Sequence, residues 1–172
     1  MKRLVLLALL FLAACNYPGL TTSPPASDSP GYGNCYYNWA EHDIASLSEK
    51  LNKALQAIDR NLTGSAYAYG EDCVYEDGHS TFGAMETDFR VQVKVKDLKD
   101  EKALGDWISK TLQAIEALPP DEIQGPQPGK VQFHFIESET EDLYLNVSLK
   151  EYESEAKDLK GAELFRYFYK NP

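Results

Sequence analysis

The sequence predicts an α+β domain, a two-layer sandwich in which an antiparallel sheet of four to five strands carries two main helices on one face. Three observations predict it. Two segments repeat apolar residues at three- and four-residue spacing, several others alternate apolar with polar residues, and each segment has a single apolar side. A stripe on a helix and a face on a sheet both leave water only by stacking on each other.

The first helix is expected from about residue 39 to residue 62. Ile44, Leu47, Leu51, Leu55, Ile58 and Leu62 form its stripe, and Glu49, Lys50, Lys53, Asp59 and Arg60 fill the other faces. Gly64 closes it. Residues 65–75 alternate Tyr67 and Tyr69 with alanines and predict a strand, and Glu76-Asp77-Gly78-His79 predicts a turn. The clearest strand follows, with Phe89, Val91, Val93 and Val95 against Arg90, Gln92, Lys94 and Lys96.

A second helix is expected over 101–118, with Leu104, Trp107, Ile108, Leu112 and Ile115 on one side and Pro119-Pro120 as its stop. Val131, Phe133 and Phe135, then Leu143, Leu145, Val147 and Leu149, mark two more strands joined as a hairpin by the acidic turn 137–142. Residues 151–159 suggest a short helix, and the tail 164–169, aromatic on both faces, suggests a last strand. The polar sheet face is then expected to carry Arg90, Gln92, Gln132, His134, Tyr144 and Asn146.

Lys53-Ala54-Leu55-Gln56-Ala57-Ile58-Asp59 aligns with Lys110-Thr111-Leu112-Gln113-Ala114-Ile115-Glu116, and each helix precedes two strands. The chain therefore suggests two helix-strand-strand repeats. If they are copies, a pseudo-two-fold axis should relate them, although the same residues are common in unrelated helices.

The amino terminus carries different information. Lys2 and Arg3 precede an unbroken apolar run, residues 4–14, and then Cys15. This is the layout of an export signal, and the run is well short of the about 20 residues a spanning helix needs. Leu12-Ala13-Ala14-Cys15 resembles, position by position, the lipobox of bacterial lipoproteins. That resemblance covers only the first fifteen residues. It implies that residues 1–14 are a signal peptide, that Cys15 becomes the lipidated first residue, and that the protein sits on a membrane in the cell envelope, outside the cytoplasm. Two or more acyl chains anchor firmly, at about 0.8 kcal/mol for each buried methylene.

Residues 15–34 then form a tether. Rich in proline, serine, threonine and glycine, they have no apolar period and would reach about 60 Å fully extended. The folded domain is expected over 35–172.

With Cys15 committed to lipid, Cys35 and Cys73 remain as a pair in an oxidising compartment, and a disulfide is expected between them. A metal pair is the weaker alternative, since no CxxC spacing exists and no histidine adjoins either cysteine. Two free buried thiols are the other.

Composition restricts the partners. The formal charge of −10 becomes −12 once Lys2 and Arg3 leave with the signal. Nucleic acid and anionic lipid headgroups need positive charge at the contact, so nucleic-acid binding is excluded. His42 lies between two acidic residues at a helix start, His79 in a turn and His134 on the polar face, and each has an ordinary structural explanation. The acidic turn lacks the glycine and ordered ligands of a calcium loop. No nucleophile elbow, phosphate loop or HExxH occurs.

The expectation is a non-catalytic binding or structural domain, without cofactor or metal, whose partners are the membrane through its anchor and an envelope protein or small ligand. Tyr36, Tyr37, Trp39 and His134 are the candidate ligand-binding residues, with Tyr67, Tyr69 and Tyr75 as a second aromatic group. Two rival readings carry their own tests. A binder of a small sugar or peptide needs an aromatic-lined pocket, and an enzyme built on His79 or the acidic hairpin needs those side chains to converge.

Overall fold

In an antiparallel pair, residues opposite each other share a face, so register alone shows which side of a sheet is dry. The computed structural model describes residues 35–169, and the signal peptide, Cys15 and the tether lie outside them. Five strands pair in chain order: β1 (Tyr36–Asp43), β2 (Thr63–Val74), β3 (Ser80–Lys94), β4 (Gln127–Ile136) and β5 (Asp142–Ser148). Ala66, Phe89, Val131 and Val147 align across four of them, as do Gly64, Val91, Phe133 and Leu145. Apart from Gly64 all are buried, and together they are the apolar face that the alternation predicts.

Helix α1 (Ala45–Ile58) lies over that face. A Cβ at position 64 would come within 2.7 Å of Leu55 and 2.9 Å of Leu51. The same buried cluster takes in Leu104, Ile108, Leu112 and Ile115 of α2 (Glu101–Glu116) and Leu164 and Phe165 of α4 (Ala162–Phe168). The short helix expected over 151–159 is a helical turn, α3 (Leu149–Glu151), running into a π-turn at Tyr152–Ala156. Among the described residues no helix is long and apolar enough to cross a membrane.

Four expectations are corrected. The sheet is mixed, because β3 and β4 run parallel. The connection between them holds α2, which returns the chain to the end it left, and such a crossover is what parallel pairing requires. This order also removes the pseudo-two-fold axis. Equivalent strands, β2 with β4 and β3 with β5, follow one another in the same sense across the sheet, whereas an axis normal to it would reverse their order. β1 has no counterpart at all.

Residues 36–43 are a strand and not the start of the first helix. All eight pair with β2 without interruption, and the helix begins only after Ile44, whose N–H donates to the Ala66 carbonyl at 3.0 Å. One turn on, Ser48 Oγ accepts from the Ala66 N–H at 2.8 Å. A further turn along, the Asn52 amide accepts from the Gly64 N–H at 2.9 Å and donates to its carbonyl at 2.6 Å. Where β1 stops, side chains of α1 continue its hydrogen bonding.

The tail is a helix and not a strand. Leu164 and Phe165 are neighbours and both buried, and the rings of Phe165 and Tyr169 stack 5.0 Å apart at the i,i+4 spacing of a helix. α4 packs closely on α2: a Cβ at Gly105 would lie 1.8 Å from the Gly161 carbonyl oxygen, so only glycine fits. Arg166 Nε donates to Glu101 across the same contact at 2.6 Å.

The tail also carries a testable titration. Tyr167 donates its hydroxyl to Glu155 at 2.6 Å, and that bond holds the phenol's pKa up at about 12. A raised folded-state pKa means that the contribution is complete below the unfolded value near 10 and is lost as pH rises through about 12. In an alkaline titration followed by phenolate absorbance, Tyr167→Phe should remove the step of highest pH and leave the earlier ones. Loss of an earlier step would refute the assignment.

Candidate functional site

The second face of the sheet stays open to solvent, and alternation decides what it shows. β1 contributes Tyr37, Trp39 and Glu41, β2 contributes Ser65, Tyr67 and Tyr69, and β3 contributes Arg90 and Gln92. Beyond them stand Gln132 and His134 of β4, then Tyr144 and Asn146 of β5.

Two interlocked rows cross this face. In the first, the Trp39 and Tyr69 rings stack with centroids 5.4 Å apart and planes 2° from parallel, and Lys130 Nζ lies 5.7 Å from the Tyr69 centroid. Lys130 reaches over β3 to do so. Its ammonium also pairs with Asp88 at 3.2 Å. In the second row the Arg90 guanidinium lies 4.3 Å from the Tyr67 centroid and donates to both carboxylate oxygens of Glu41, at 2.9 and 2.6 Å. The Tyr67 hydroxyl accepts from Ser65 at 3.0 Å. The bond to Glu41 raises the Arg90 pKa further, with partial burial pulling the other way. Cations over aromatic faces contribute about 0.5–1 kcal/mol each at exposed sites.

Asp88 fixes the middle of this arrangement. The β3–β4 register shifts between Thr87 and Phe89. A shift leaves backbone groups unpaired, and here Asp88 Oδ1 accepts the Lys130 N–H at 3.0 Å. Its carboxylate is almost fully buried, so Lys130 supplies both the backbone and the charged partner. Beside it, the buried Thr87 hydroxyl donates to the Gln124 carbonyl at 2.9 Å and accepts from its N–H at 2.8 Å.

The structure does not gather the four predicted ligand-binding residues. Tyr36, Tyr37 and Trp39 follow one another on β1 and are 72, 68 and 61 % exposed, with Tyr36 on the opposite face from the other two. His134 is three strands away and about eight residues along, which places it about 30 Å from Trp39. Its Nε2 is hydrogen-bonded to the Asp142 carboxylate at 2.6 Å, and its ring stacks on Tyr144 at 4.1 Å.

The other histidines repeat that arrangement elsewhere. His42 pairs with Asp72 at 3.2 Å and packs on Phe82, and His79 pairs with Asp77 and stacks on Tyr75. The His79 backbone N–H, then its ring, hold the Asp77 carboxyl below the ordinary range. Each imidazole is thus held between a ring and a carboxylate at a separate place.

His79 and the acidic hairpin also stay apart. One precedes β3 and the other follows β4, and since these strands are parallel the two lie at opposite ends of the sheet, about 45 Å apart. Among the described residues no three His, Cys, Asp or Glu side chains cluster as metal ligands. Three surface depressions lie at residues 56–61, between α2 and the start of α4, and beside Leu98, Leu143, Phe165 and Tyr169, the last of about 330 Å³. None of the three is lined by Tyr36, Tyr37, Trp39 or His134.

Alternation places Arg90, Gln132 and Asn146 on the open face but does not reveal Lys130 as the partner of both Tyr69 and Asp88. No spacing in the chain links positions 39, 69, 88 and 130. Cys35 and Cys73 are joined, with Cα atoms 5.4 Å apart, and this bridge pins the start of β1 to β2. No protein-family model, curated protein or solved structure matches the chain.

Proposed function

We propose that the protein is a lipid-anchored component of the cell envelope whose folded domain has a binding or structural role, without catalysis, played by the open face of its sheet. The export-signal layout and the lipobox-like Leu12-Ala13-Ala14-Cys15 support the anchor, and the proline-rich stretch supports a domain held clear of the lipid. The observation that carries the binding role is the row of Trp39, Tyr69 and Lys130 beside Tyr67, Arg90 and Glu41. Tryptophan, tyrosine and arginine contribute most of the energy at recognition surfaces, and here partners on neighbouring strands hold them in place before any ligand arrives.

A second reading, a binder of a small sugar or peptide, draws on the exposed indole of Trp39, against which a sugar ring or a peptide side chain can stack. On this face such a ligand lies across an open surface and not in an enclosed pocket.

Both parts can be tested on protein from its own membranes. Intact mass should show a chain beginning at an acylated Cys15, and full-length unmodified protein would refute the anchor. For the face, radical footprinting should oxidise Tyr67, the half-buried ring under Arg90, several-fold less in the native envelope than in purified protein, while Tyr169, on the helix-covered side of the sheet beside Leu143, changes little. Equal labelling of Tyr67 in both settings would remove the binding role.

A further inference from the structure

We propose that β1 is an interface for a second copy of this chain, joined edge to edge by antiparallel pairing about a two-fold axis at Ala40. The proposal rests on β1 alone and stands whether or not the chain is lipidated.

Among the described residues β1 is the outer strand of the sheet and pairs on one side only. The bond from the Ile44 N–H to the Ala66 carbonyl continues the β1–β2 register, so the even-numbered residues of β1 turn their backbone groups toward β2. Tyr37, Trp39, Glu41 and Asp43 therefore turn theirs outward. The contrast with the adjoining edge is informative: Ser48 and Asn52 occupy the backbone of Ala66 and Gly64, where β1 has ended. The fold closes that half of the edge, and among the described residues nothing covers the other half.

The bare half lacks three of the features that keep an edge strand solitary, and its charges, Glu41 and Asp43, are confined to its second half. It contains no lysine and no proline, and its pairing with β2 has no bulge. Seven of its eight residues are exposed, including three large aromatics. Trp39 uses one indole face on Tyr69, and its other face lies toward the missing neighbour.

Charge selects the partner and the register. Aromatic residues occupy the first half of β1 and Glu41 and Asp43 the second, so the strand complements its own reverse. With the axis at Ala40, Tyr37 lies opposite Asp43 of the second copy and Trp39 opposite Glu41, which Arg90 already neutralises. Every outward backbone group from 37 to 43 then finds a partner. Moving the axis to Glu41 or His42 sets carboxylates against each other, and moving it toward Tyr37 shortens the overlap. At about 200 Å² per aromatic side chain, the exposed fractions amount to about 400 Å² per copy. The pair then offers up to about 800 Å² before backbone is counted, and the backbone of the paired strands has to supply the rest of the ~1,000 Å² that a specific interface must clear.

The test uses the full-length protein in mild detergent. Sedimentation over a range of concentrations should show a reversible dimer. Tyr37→Pro removes one outward N–H and none of the bonds to β2, and should weaken the dimer at least tenfold. Ala40→Cys should give a disulfide-linked dimer under oxidising conditions, whereas the parent chain and Tyr144→Cys, on the opposite edge strand, should not. If Tyr37→Pro fails to fold, as judged by its circular dichroism, the Ala40→Cys result decides alone. A chain that stays monomeric throughout, as it would if the edge served a strand from another protein, overturns the proposal. Cross-linking from position 144 as fast as from 40, or a Tyr37→Pro dimer as tight as the parent's, overturns it equally.

Discussion

Phe133→Ala is expected to destabilise the fold by about 4 kcal/mol, the usual cost of removing a fully buried phenylalanine. Phe133 is completely inaccessible and stands in the row Gly64, Val91, Phe133, Leu145, stacked on Phe135 with centroids 5.5 Å apart. Its neighbours belong to three strands held in register, so they cannot close the space that its ring leaves. Urea unfolding should show a lower midpoint with an unchanged slope, and a melting temperature about 10 °C lower. A loss below 1 kcal/mol would mean that the sheet relaxes at its centre, contrary to the packing described.

Removing the disulfide should have a comparable effect by a different route. Cys35 and Cys73 are 38 residues apart, and closing a loop of that length restricts the unfolded chain by about 4 kcal/mol in the chain-entropy model. The folded state should change little, because the ladder from Tyr36 to Asp43 and the Arg90–Glu41 pair hold β1 independently. Cys35→Ala/Cys73→Ala should therefore melt about 10 °C lower with near-parent circular dichroism. If the double variant melts like the parent, the bridge is absent from the native protein.

The sequence revealed elements whose burial is one-sided. β3, β4 and β5 alternate because one face is dry, and α1 and α2 carry stripes for the same reason; for both helices the expected span ran past the observed one. β1 escaped because nearly all of it is exposed, so Tyr36, Tyr37, Asn38 and Trp39 show no alternation to detect. α4 escaped because four aromatic residues within 165–169 hide which side is buried, and only the adjacent burial of Leu164 and Phe165 separates helix from strand. The parallel pairing of β3 and β4 leaves no local mark, since Val91 and Phe133 look alike with a parallel or an antiparallel neighbour. The open face was legible by residue type and illegible as an assembly. Trp39 stood out as an aromatic, but the link from Trp39 through Tyr69 to Lys130 crosses four strands and exists only once they are ordered.

The seam between β3 and β4 also bears on how the chain finds its fold. The hairpins β2–β3 and β4–β5 join near neighbours, whereas Asp88 and Lys130, which meet across the seam, are 42 residues apart. Long-range pairing gains nothing until the intervening chain has closed, so the two hairpins can form early and the seam only after α2 has docked. On that order the barrier to folding is expected at the meeting of two preformed halves, where Asp88 stands at the register shift that joins them.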